Sequence, residues 1–252
     1  MFRHQSGMVR KVRPKQNGGI VKGKGFIYIP HHKLVYARVP KCANTSIKTA
    51  LSELIQAVPT TNPRTERALE PTNDRFWKNC TTEAKFLKPD KYTALRKKVF
   101  CFTFIREPLQ RLHSCYREKV LRPSVFPAMK RLGYDKTMSF SEFVELTCSL
   151  SLDAMDVHTQ PQTFLISDSK GKLPDFIGCI ESMRTDWQRL NEQMLHRDIP
   201  ISRELPHLNS SRKGESNQSQ SIRLLERVQR QFEMTYGLDI QLHQKLTAAQ
   251  LP

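Results

Sequence analysis

The stretch VFCFTFI at 99–105 is nearly unbroken in apolar side chains and stops abruptly at Arg106. A run this short, rich in aromatic residues and without polar alternation, reads as a strand covered on both faces. Such strands belong to parallel sheets with helices on either side, so this stretch points to an α/β fold. Its surroundings agree. Pro108 stands where the first turn of a helix tolerates it, and Leu109, Leu112, Tyr116 and Val120 give that helix an apolar stripe.

The same strand-then-helix pattern recurs. KLVYARV at 33–39 is ended by Pro40, after which Ile47, Ala50, Leu51, Leu54 and Ile55 follow helical spacing from a start near 44–46. DFIGCI at 175–180 is a third core strand, followed by a helix at 183–196, and FIYI at 26–29 reads as an earlier strand. Ser139 with Glu142 forms a capping box for a helix through Leu146, and Ile222, Leu225, Val228 and Phe232 mark a last amphipathic helix. Residues 58–93 carry several prolines and little periodicity, so they read as a long irregular connection. The expectation is a central, mostly parallel sheet flanked by helices, in one domain over 26–240. A basic flexible tail is expected at 1–25 and a short C-terminal tail at 241–252.

In such folds ligands bind at the carboxyl ends of the strands. Three polar clusters stand there: Lys41–Ser46, Arg106–Ser114, and Glu181 with Ser182. In VPKCANTSIKTAL the backbone N–H groups of a helix start offer an anion site. Thr45 and Ser46 add hydroxyl donors, and Lys41 adds a mobile cation. A kinase-type phosphate loop needs glycines and a lysine directly before Ser/Thr. Here the glycines are missing and the lysine stands four residues ahead, which disfavours a nucleotide kinase. In FIREPLQRLHSCYR, Arg106 suits a second phosphate and Ser114 can complete the contact. An ion pair of Arg106 with Glu107 or Glu181 is the plainer alternative.

The net charge of +17 favours an anionic partner, and no acidic residue precedes Glu53. A nucleic-acid binder would explain the charge, but it calls for exposed aromatics among basic residues, whereas Phe100, Phe102 and Phe104 lie in a core strand. Six scattered cysteines without a Cys-x-x-Cys pair suggest neither a zinc site nor a disulfide framework. No stretch approaches a membrane span and no secretory h-region is present, so the chain reads as cytoplasmic.

Together the two motifs resemble those of the Golgi-type carbohydrate sulfotransferases, the group acting on chondroitin, dermatan and related glycans. VPKCANTSIKTAL is similar to that family's 5′-phosphosulfate loop and FIREPLQRLHSCYREKV to its 3′-phosphate motif. AMDVHTQPQTFL with PDFIGCIESM, LPHLNSSRKGESNQSQS and VQRQFEMTYGL resemble its later blocks. The resemblance implies the sulfotransferase fold with a kinase-like nucleotide site. It also implies 3′-phosphoadenosine 5′-phosphosulfate as donor, no metal, and a carbohydrate acceptor, with acidic polysaccharides among the candidates. On this reading Lys41, Cys42, Ala43, Asn44, Thr45 and Ser46 hold the 5′-phosphosulfate, Lys41 also stabilising the leaving oxygen. Arg106 and Ser114 bind the 3′-phosphate, and Arg212, Lys213 and Gly214 fold over it. His158 is a candidate general base. Glu70, Asp74 and Glu83 are alternatives, while His113 reads as structural. A Golgi lumen location is the expectation if the sequence is a piece of an anchored relative.

Overall fold

The computed structural model describes residues 25–56, 69–80, 83–202, 204–206 and 223–249. Within these, strands β1 (Phe26–Ile29), β2 (Leu34–Ala37), β3 (Lys85–Leu87), β4 (Phe100–Ile105) and β5 (Phe176–Cys179) form one sheet in the order β3-β1-β2-β4-β5. β2, β4 and β5 are mutually parallel, and β1 runs antiparallel to both β2 and β3. The α/β expectation with a mostly parallel sheet holds.

The helices are α1 (Asn44–Ser52), α2 (Asp74–Asn79), α3 (Pro89–Leu95), α4 (Pro108–Lys119), α5 (Pro127–Arg131), α6 (Phe140–Ser149), α7 (Gln162–Ile166), α8 (Met183–Leu195) and α9 (Glu226–Ala248). β4 is buried along its whole length because both faces are covered. Phe102 and Phe104 join Ile47 and Leu51 of α1 and Trp187 and Leu190 of α8 on one face. Cys101 and Ile105 meet Tyr92 of α3, Leu165 of α7 and Leu242 and Leu246 of α9 on the other. Thr103, the one hydroxyl in the run, donates to the carbonyl of Ala37 at 2.6 Å and so tolerates complete burial. A glycine is required at 178, opposite Phe104 in the ladder: a Cβ there would stand 2.4 Å from the phenyl ring. A helical annex of α4, α6 and α9 packs around Leu112, Phe143, Phe232 and Tyr236.

Two readings need revision. The connection read as irregular contains α2, β3 and α3 in its described part. These elements span six, three and seven residues, too short for a periodic signal, and β3 exists through its pairing with β1. The last helix also runs past position 240 to Ala248, because Leu242 and Leu246 still find apolar partners on the sheet. The capping box at Ser139 and Glu142 is present. Ile222 and most of the basic tail lie outside the described residues. Among the described residues no helix is long and apolar enough to cross a membrane.

Candidate functional site

Because β2, β4 and β5 are parallel neighbours, the segments after them emerge side by side. The first is the turn Pro40–Ala43. It is sharp without glycine because Lys41 and Ala43 take positive φ, 71° and 47°. That conformation costs on the order of 1–2 kcal/mol per non-glycine residue, so something must hold it. Arg111 does. Its side chain is 1% exposed and reaches across from α4, its Nε donating to the Pro40 carbonyl at 3.0 Å. Its other nitrogens donate to the carbonyls of Gln160 at 2.8 Å and Val157 at 3.3 Å. One guanidinium thus ties the first motif to the second and to the 157–160 segment.

α1 then starts with Ala43 in the left-handed region, with no side-chain cap and no acidic residue in its first turn. The start of a helix with this character, with the Thr45 and Ser46 hydroxyls in its first turn, is suited to an anion. Asn44 is oriented by Tyr36, whose hydroxyl donates to its Oδ1 at 3.3 Å. The Cys42 side chain turns inward, its thiol 3.2 Å from Gln162 Oε1 and pushed up to about 12 by burial. Its contribution to a ligand is therefore confined to backbone.

The second segment begins at Arg106, whose backbone is pinned twice by Gln162. The Arg106 N–H donates to Oε1 at 3.0 Å, and Nε2 donates to the Arg106 carbonyl at 2.8 Å. Glu107 caps α4 by accepting from the N–H groups of Leu109 and Gln110 at 3.0 and 2.6 Å. Glu181 accepts from the Glu107 N–H at 2.8 Å and lies 3.2 Å from His243 Nε2. Both carboxylates are thus committed elsewhere, and the Arg106 guanidinium has no hydrogen-bond or ion-pair partner among the described residues. That removes the ion-pair alternative. Ser114 lies on α4 between Arg111 and Glu118 at helical spacing, and both of those touch the Pro40–Ala43 turn.

Lys41 Nζ is bound to Glu118, whose carboxylate also meets Lys119 at 2.8 Å. Burial opposes the Glu118 charge, but the hydrogen bonds from Lys119 and Lys41 outweigh it and bring the carboxyl down to about 2. Lys119 lies over the Phe126 ring at 4.7 Å, and Phe126 meets the His158 imidazole at 6.4 Å. His158 Nδ1 is 2.6 Å from Asp156 Oδ1, which also accepts from the His158 N–H at 2.9 Å. Lys41 and His158 are therefore linked through Glu118, Lys119 and Phe126.

The rival carboxylates are less suited to proton transfer. Asp74 pairs with Arg38 at 2.8 Å and with the buried Lys48 at 3.1 Å. Burial raises its carboxyl, yet Arg38 and Lys48 prevail and hold it below the usual range. Glu83 accepts from the Gln56 N–H, and Glu70 is exposed. His113 packs edge-on against Phe140 at 5.1 Å, and burial, then Arg117 and Arg106, lower it. Arg212, Lys213 and Gly214 lie outside the described residues. Cys179, Glu181 and His243 bring metal-ligating atoms within 4.8 Å of one another. Burial pushes the Cys179 thiol up to about 12 and Glu181 already serves the α4 start, so the cluster reads as a brace.

Sequence reasoning missed Gln162, Glu118, the anchoring role of Arg111, and Asp239. Asp239 is 1% exposed on α9 and caps α7, accepting from the N–H groups of Gln162 and Thr163 at 2.6 and 2.7 Å. Arg111 falls on the buried stripe of α4 with Pro108, Leu112, Cys115 and Tyr116, and a charge at that spacing was the one available signal for it.

A family model described as "Sulfotransferase family" matches residues 24–245. Comparisons with curated proteins and with solved structures returned no match.

Proposed function

We propose, because the chain belongs to the sulfotransferase family, that it moves a sulfuryl group from 3′-phosphoadenosine 5′-phosphosulfate to a hydroxyl of a carbohydrate. Sulfuryl transfer is the family's chemistry; donor and acceptor are our reading. The observation that carries it is the pairing of two anion-ready elements at adjacent strand ends: the α1 start without a side-chain cap, and the Arg106 guanidinium, which has no partner among the described residues. They suit a ligand with phosphate groups at two positions. When bound, the donor supplies an activated sulfuryl group on a phosphate leaving group.

The chain's own residues position that group and stabilise charge. The α1 N–H groups with Thr45 and Ser46 hold the 5′ end. Arg106 and Ser114 hold the 3′-phosphate, and Arg212, Lys213 and Gly214 close over it. Glu118 keeps Lys41 extended across the site at rest and yields it, so that Nζ meets the leaving oxygen as negative charge develops. Asp156 takes up Nδ1 of His158, which leaves Nε2 to accept the proton of the acceptor hydroxyl. No metal is required by this scheme. The excess of positive charge suits an acidic polysaccharide as acceptor. The compartment follows the acceptor: the cytoplasm, or the Golgi lumen if the chain is a piece of an anchored enzyme.

The test is transfer of radiosulfur from labelled donor to a panel of glycans and of small phenols and alcohols. Label in a glycan is expected. Label only in the small alcohols would overturn the carbohydrate reading, and no transfer from this donor to any acceptor would overturn the donor.

A further inference from the structure

The opposite end of the sheet, where β2, β4 and β5 begin, carries a concavity of about 830 Å³. The transfer site stands at the other ends of these strands, and a six-residue strand such as β4 spans about 20 Å. The concavity is lined by six cations and one carboxylate, a local excess of five positive charges. The carboxylate, Asp175, is occupied: it accepts from the Cys101 N–H at 2.8 Å and meets Arg96 at 3.5 Å.

Two of the cations are fixed by the fold. Arg96 donates to the Tyr92 hydroxyl and the Leu173 carbonyl, both at 2.5 Å. Arg197 lies over the Phe100 ring at 4.2 Å and donates to the Gln193 carbonyl at 2.6 Å. Around them stand Lys33, Lys97, Lys98 and Lys172, all exposed, their ammonium groups without hydrogen-bond or ion-pair partners among the described residues. Like charges gathered in one hollow repel one another, and a ligand with closely spaced anions relieves that.

We propose that this concavity is a binding site for a sulfated polysaccharide, separate from the transfer site and holding a part of the polymer that is not being modified. Single-stranded nucleic acid fits less well. Its binding relies on aromatic faces for base stacking, and of the two rings of the lining Phe100 is buried beneath Arg197 while His32 is half-buried and set edge-on to His31 at 5.0 Å. The choice of polymer rests on the carbohydrate reading above, whereas the anion site rests on the lining alone.

The experiment measures binding of a sulfated heparin oligosaccharide, its desulfated counterpart and an oligothymidylate of matched charge, at physiological salt. Three proteins are compared: the unaltered chain, a pocket variant, and a control. The pocket variant carries Lys33→Asn, Lys97→Ala, Lys98→Ala and Lys172→Ala, asparagine being chosen because position 33 has a φ of 48°. The control removes four exposed cations elsewhere, with Lys78→Ala, Lys136→Ala, Arg227→Ala and Arg230→Ala. Affinity for the sulfated oligosaccharide is expected to fall about tenfold or more in the pocket variant, with a shallower salt dependence, while the control stays near the unaltered chain. Equal losses in both variants, no loss in the pocket variant, or tighter binding of the oligothymidylate through the same lysines would overturn the proposal. Adenosine 3′,5′-bisphosphate binding is measured alongside and should be equal in all three. Its absence from all three, with the oligosaccharide result intact, would count against the donor reading and leave this site standing.

Discussion

Arg111 Nε donates to the Pro40 carbonyl at 3.0 Å, and through that bond the helix after β4 sets the shape of the turn after β2. The turn after β2 and the helix after β4 are thereby a single unit, which makes Arg111 a residue of the fold with consequences for the proposed site.

Arg111→Ala should destabilise the protein by roughly 3 kcal/mol or more, since it leaves three carbonyls without their donor and a hole where a buried side chain stood. Urea unfolding measures this. Arg111→Lys keeps the charge but not the three-way fork, and should recover only part of the loss. A neutral Arg111→Ala would mean that the turn holds its shape without the clamp.

The left-handed residue at 43 gives a second prediction. Ala43→Gly removes the steric cost at a φ of 47° but adds freedom to the unfolded chain, so its stability should lie within about 1 kcal/mol of the parent. Ala43→Val places a branched side chain in the same conformation and should cost about 2 kcal/mol or more. Matched melting of the two variants would remove the strained turn from this account.

Glu118 gives the acid limb. Its folded carboxyl lies near 2, below the ordinary 4.5, so its contribution to stability is full above about pH 4.5 and is lost as pH falls toward 2. Glu118→Gln should therefore flatten the decline of the urea midpoint within that window and leave its slope near neutrality unchanged. The same variant frees Lys41 and should bind adenosine bisphosphate several-fold more tightly. An unchanged acid profile would mean that the Lys41–Glu118 contact does not persist in solution.

His158→Ala should lower kcat by roughly 10²–10⁴-fold while donor binding stays within about twofold, as expected for a lost general base. Asp156→Asn, which loosens the ring without removing it, should cost less. A drop in donor affinity equal to the drop in rate would recast His158 as a structural residue.

Much of the fold was legible because β4 and its neighbours state their burial in composition: an apolar run ended by Arg106 admits few alternatives. The polar clusters were legible because they follow such strands directly. What escaped was held by distance in sequence. Gln162 grips Arg106 from 56 positions away, and Asp239 caps α7 from 77. Neither residue type is unusual in its own segment. β3 escaped for a related reason: three residues form a strand only because β1 offers them a partner.

The most direct measurement of the central claim is calorimetric binding of adenosine 3′,5′-bisphosphate against ADP, on the parent protein and on Arg106→Ala. The account predicts binding that requires the 3′-phosphate and weakens by about a hundredfold in the variant, the range of a lost charge-assisted pair. Equal affinity for the two nucleotides, or binding indifferent to Arg106, would contradict it.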